Sequence, residues 1–169
     1  MAKELLSATD AMSANDDATL TLEEAFDAKF YPAIGVEKSR LHGPLTDFYE
    51  RVFPELQPLT SPRPAAVRLV NVAQKNGHTV VIATNPLFPA RAITHRLAWA
   101  DLPPERYPFA LISSYEKFHY AKPNPGFIAE CLGQTGWEDQ PAVMIGNSFT
   151  DDLLPAAHLG LPCFLVTPS

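Results

Sequence analysis

Two adjacent carboxylates, Asp151 and Asp152, stand just after Asn147 and Ser148, where the apolar run AVMIG (residues 142–146) gives way to a helix-like pattern. Carboxylates in that position can hold a hard cation such as Mg2+. They can also complement the N-terminus of the following helix, a contribution of about 0.3–1 kcal/mol. Other polar groups follow comparable apolar runs: Thr84 and Asn85 close the run at 79–84, and Ser113, Ser114 and then Lys122 follow the run at 109–113. Hydroxyls and backbone amides bind phosphoryl oxygens, an ammonium neutralises phosphate charge, and a carboxylate at the rim binds a cation. Brought to one place, these groups point to phosphoryl transfer. Singly, each has a plainer reading, Thr84 as a strand-ending turn residue and Lys122 as a solvated loop lysine. Phe118, His119 and Tyr120 read as packing residues.

What must position these groups is an alternation of helices and strands. A helix is predicted from Pro64, in its first turn, to Gly77, past its end, followed by a β-branched strand at 79–84. The pattern then repeats, with helices at 89–99, 125–132 and 151–159 and strands at 109–113, 142–146 and 163–166. Apolar strands alternating with helices predict a parallel sheet covered on both faces and wound right-handed, an α/β Rossmann-like core. Ligands in such sheets bind at the carboxyl ends of the strands, where all the polar groups named above fall.

The first part of the chain has a different texture. Leu22, Phe26 and Phe30 recur every four residues, as do Leu45, Tyr49 and Phe53, which predicts amphipathic helices. Thr21 and Glu24 have the capping-box spacing that starts a helix. Residues 57–67, QPLTSPRPAAV, carry three prolines and read as a linker. The expected organisation is a helical unit over 1–58 and the α/β core over 59–169.

Composition removes several classes of function. The chain has 169 residues, 46% of them hydrophobic, enough for one sizeable core, and a formal charge of −6 with no Lys/Arg cluster to attract nucleic acid. No apolar run is long enough to span a bilayer, and MAKELLSATDAM lacks the apolar centre of a signal peptide, so a cytoplasmic protein is expected. Cys131 and Cys163 have no metal-ligand spacing and read as buried thiols.

The stretches VVIATN (80–85), AKPNPGFIAECLGQTG (121–136) and AVMIGNSFTDDLLPAAHLGLPCFLV (142–166) resemble, in order, the second, third and fourth motifs of the haloacid dehalogenase superfamily of phosphatases. The resemblance implies that Thr84 and Asn85 contact the transferring phosphoryl group and that Lys122 stabilises its charge and an aspartyl intermediate. It further implies that the fourth-motif acid binds Mg2+. Counted from Gly146, that acid is Asp152, with Asp151 second, and Asn147 stands where an Asp is more usual. The implied substrate is a small phosphorylated metabolite, and the helices of 1–58 resemble the mobile cap that many members carry over the site.

One motif of the family has no counterpart. Members resembling this chain begin with a strand ending in Asp-x-Asp, whose first Asp is the nucleophile. NDDATL (residues 15–20) is a decoy, since it puts Asn15 at the nucleophile's place and has no buried strand before it. In the resembling fold the absent strand lies mid-sheet, between those at 79–84 and 142–146. Leaving six to ten backbone groups unsatisfied there, at about 1–3 kcal/mol each, would rival the roughly 5–15 kcal/mol stability of a domain. A shortened chain that is nearly inactive is therefore expected, with weak Mg2+ binding. A non-catalytic phosphate- or metabolite-binding module is the alternative. Dehalogenation of a small acid ranks below both, because it needs no Mg2+.

Overall fold

A computed structural model describes residues 1–167. Seven helices and four short strands follow one another as α1 (Ala2–Ser13), α2 (Leu22–Ile34), α3 (Lys38–Asp47), α4 (Pro64–Lys75), β1 (Val81–Ile82), α5 (Ala90–Trp99), β2 (Leu111–Ile112), α6 (Pro125–Gln134), β3 (Met144–Gly146), α7 (Leu154–His158) and β4 (Cys163–Leu165). π-Helical turns at Phe48–Val52 and Phe149–Leu153 and a 3-10 stretch at Phe53–Leu59 complete the elements.

Local chemistry explains most of the boundaries. Thr21 accepts a hydrogen bond from the Glu24 N–H while the Glu24 carboxylate accepts one from the Thr21 N–H, the reciprocal cap that starts α2. Gly35 ends α2 in the left-handed conformation (φ 65°), where a side chain would be strained. Pro64 occupies the first turn of α4, and the Asn124 side chain accepts from the Gly126 N–H to start α6.

All strand pairing among the described residues is parallel, as the helix-strand alternation requires, but it forms two small sheets rather than one ladder. β1 pairs with β2 (Val81 opposite Leu111) and β3 pairs with β4 (Met144 opposite Cys163). β1 and β3 do not pair with each other; instead they face one cavity from opposite sides. This is where the sequence leaves a central strand unaccounted for. The space between the sheets is open beside β3, where Ile145 is 39% exposed. The amphipathic α4 likewise has no buried residue, and its Leu69 and Val72 are about half exposed.

The core joins both parts of the chain. Met12 of α1 and Leu22 of α2 pack in one cluster with Phe118, Phe127, Cys131 and Met144. The first-turn amides of α2, which no helix can satisfy internally, donate to loop carbonyls instead: Leu22 N–H to Phe118 at 2.8 Å and Glu23 N–H to Tyr115 at 3.0 Å. No helix among the described residues is long and apolar enough to cross a membrane.

Candidate functional site

The cavity between β1 and β3, about 450 Å³, runs along both strands and past their carboxyl ends. Thr84, Asn85, Lys122, Asn147, Asp151 and Asp152 all line it, together with Ser148. The residues that the family resemblance assigns to phosphate or metal contact therefore border the same space. Ser113 and Ser114 do not. Both are buried behind the cavity wall, where the Ser113 hydroxyl donates to the carbonyls of Thr84 (2.6 Å) and Ile82 (3.1 Å). Ser113 thus braces the strand end that presents Thr84. The Ser114 hydroxyl is buried without a hydrogen-bond partner among the described residues.

Lys122 and Asp152 form the centre of the site. Lys122 Nζ donates to Asp152 Oδ1, and the two side chains are only 8% and 7% exposed. Asp152 Oδ2 accepts from the backbone N–H groups of Asn147 and Ser148, each at 2.9 Å. Backbone amides at a strand-to-helix turn make a ready seat for an anion, and here an internal carboxylate occupies it. Lys122 also lies 5.4 Å from the centre of the Phe127 ring, a favourable cation–π distance. Its backbone N–H donates to Asn85 Oδ1 at 3.1 Å, so Asn85 holds the strand of chain from which the ammonium reaches inward.

The two acids differ because of the turn they stand on. Residues 149–153 form a π-helical turn, with the Leu153 N–H bonded to the Ser148 carbonyl five residues back. A π turn accommodates one residue more than an α turn, and such turns often occur at functional sites. The wider turn carries Asp152 inward over Gly146. Asp151 stays at the exposed rim, where it accepts from the Ser148 hydroxyl at 3.0 Å. The fit over Gly146 is close: a Cβ built there would come within 2.3 Å of the Asp152 carboxylate. Sequence inspection missed this role for Gly146, although a glycine at a strand end is a recognised mark of close backbone approach.

The donor set does not fit a resident Mg2+. Among the described residues no three His, Cys, Asp or Glu side chains come together. Asp152 is committed to Lys122 and two amides, which leaves the Asp151 carboxylate and the Asn147 amide oxygen. Mg2+ gives up its waters reluctantly and needs carboxylates and phosphate to act together.

Three further residues hold the site from outside it. Glu130 accepts from the His119 N–H at 3.0 Å and lies 2.7 Å from His119 Nδ1. Asn15, on the segment read as a decoy, donates to the His119 carbonyl at 2.8 Å. No sequence signal marks these partners, since Asn15 lies more than a hundred residues from His119. The two cysteines are free thiols; Cys131 is buried and Cys163 partly so. Burial pushes the Cys131 thiol up to about 12.

A family model described as HAD-hydrolase-like matches residues 119–168. No curated protein matches the chain in sequence. Among solved structures, a Thermotoga maritima protein described as a candidate β-phosphoglucomutase is similar in fold, with a TM-score of 0.55 and 15% identity. The alignment covers 99% of this chain and 77% of that one.

Proposed function

We infer that this chain, a member of the haloacid dehalogenase superfamily, binds the phosphoryl group of a small phosphorylated metabolite between β1 and β3. The observation that carries this reading is the convergence of Thr84, Asn85, Lys122 and Asp152 on one cavity. An ammonium has three donors. Asp152 takes one and fixes the direction of the others, so Lys122 can offer charge-assisted hydrogen bonds to phosphoryl oxygens without losing its anchor. The Thr84 hydroxyl adds a donor from β1. Because these groups are held before the ligand arrives, little reorganisation is needed when phosphate charge enters the cavity.

Hydrolysis through an aspartyl-phosphate needs a nucleophilic carboxylate in line with the phosphorus. Among the described residues, the only carboxylates lining the cavity are Asp151 and Asp152. The first is at the rim and the second is fixed by Lys122 and two amides. Residues 1–169 are therefore expected to bind phosphate esters without appreciable turnover. A strand placed between β1 and β3 and ending in a free carboxylate would supply the missing group, and the open edges of both sheets suit such a strand. Mg2+ would enter only with the substrate phosphate, where the rim carboxylate of Asp151 and the Asn147 side chain could contact it. The helices of 1–58 are proposed to govern access and substrate choice. A phosphorylated sugar is the first candidate, because the Thermotoga protein is described as a candidate phosphoglucomutase.

Calorimetric titration with inorganic phosphate, and a panel of phosphate esters, test this reading. Saturable binding that Lys122→Met abolishes, with no turnover, is expected. Turnover should appear only when an N-terminal apolar strand ending in Asp-x-Asp is added. Failure of wild type to bind phosphate would refute the proposal. The seating of Asp152 in the amide pocket also favours a second reading, a regulatory module that binds phosphate but does no chemistry. Persistent inactivity with the added strand would select it.

A further inference from the structure

The turn between α1 and α2 grips the loop that carries Lys122 on both sides of that residue. Three residues before Lys122, the His119 carbonyl accepts from Asn15 Nδ2 at 2.8 Å. Two residues after it, Asn124 Nδ2 donates to Asp16 Oδ1 at 3.2 Å. The same Asn15 amide also reaches the carbonyls of Asp17 and Leu20, each at 3.1 Å, so its own turn orients it against the loop. Opposite, Glu130 of α6 holds the His119 backbone N–H and ring. His119 is thus clamped between an amide donor on its carbonyl and a carboxylate acceptor on its N–H. Neither Asn15, Asp16, His119 nor Glu130 lines the cavity.

Three carbonyl oxygens surround the Asn15 side chain, and only a donor satisfies them. An amide supplies two N–H bonds, whereas a carboxylate of the same shape only accepts. We propose that Asn15 is a positioning residue for the Lys122 ammonium, coupling the N-terminal helical hairpin to the phosphate cavity. Its effect on binding rests on the phosphate-site reading above; its effect on the placement of Lys122 does not.

The test uses the full chain and the near-isosteric Asn15→Asp. Acetic anhydride labelling, read lysine by lysine by mass spectrometry, reports access to Lys122, with the exposed Lys75 as internal reference. In wild type, Lys122 should label slowly. In Asn15→Asp it should label about tenfold faster, as a local opening allows, while Cys131 stays protected from iodoacetamide. Phosphate affinity should fall by about tenfold or more, the scale of loss when a positioned group is misplaced. Lys122 labelling equal to wild type would overturn the inference. If Asn15→Asp also exposes Cys131, the exposed-site variant Asp16→Ala decides: faster Lys122 labelling with Cys131 protected supports the coupling, and an unchanged rate rejects it. Should wild type bind no phosphate, the functional reading fails, yet the labelling comparison still decides whether Asn15 positions Lys122.

Discussion

Lys122 Nζ donates to Asp152 Oδ1, and the pair is almost wholly withdrawn from water across a junction between the loop before α6 and the turn after β3. A buried charge that loses its partner keeps its desolvation cost with no compensating attraction. Lys122→Met and Asp152→Asn should therefore each cost about 3–5 kcal/mol in urea unfolding, the usual range for breaking one side of a buried pair. Lys122→Met/Asp152→Asn should cost less than the sum of the single changes, and a strictly additive result would argue against a coupled pair.

Gly146 and Gly133 make a matched comparison. A Cβ at Gly146 would meet the Asp152 carboxylate at 2.3 Å, whereas nothing lies within 4 Å of one at Gly133. Gly146→Ala should destabilise by about 1–3 kcal/mol, as overpacking does, and should weaken phosphate binding by displacing Asp152. Gly133→Ala, within α6, should stabilise by roughly 0.4–1 kcal/mol and leave binding unchanged. Thermal unfolding and phosphate titration of the two variants check both signs.

The capping box of α2 should be measurable by mutation and by pH. Thr21→Ala removes the side-chain acceptor and should cost about 1 kcal/mol. Hydrogen bonds from the Thr21 backbone and then its side chain hold the Glu24 carboxyl below its ordinary value of 4.5. A depressed carboxyl stabilises the fold above its unfolded value, and that contribution disappears as pH falls through the folded one. The difference in stability between wild type and Thr21→Ala should shrink below about pH 4.

The two thiols should separate cleanly in reactivity. The thiolate is the nucleophile, and burial raises the Cys131 thiol to about 12. At pH 8, iodoacetamide should label Cys163 before Cys131, and both should react alike in denaturant. The sign for stability follows from the raised value: the benefit of a neutral Cys131 is complete below about pH 8.5 and is lost as pH climbs toward 12. Cys131→Ala should flatten that alkaline decline in urea unfolding.

Sequence alone determined the elements whose signals are local. Thr21 with Glu24, Pro64 with Gly77, and the β-branched run before Thr84 each mark a boundary through a few neighbouring residues, and the structure has a helix or strand at each. Helix-strand alternation also dictated parallel pairing. That in turn sends the carboxyl ends of the strands, with Thr84, Asn85 and Asn147, to a common edge. Tertiary structure decided the rest. Which of two adjacent acids turns inward depends on a π turn, and which backbone approaches Asp152 depends on packing over Gly146. That Asn15 reaches His119 depends on a contact between residues far apart in the chain. The separation of the strands into two sheets belongs here too, because pairing requires edges to meet in space. Local spacing records backbone preference; long-range partners are chosen only when the folded surfaces come within hydrogen-bonding distance.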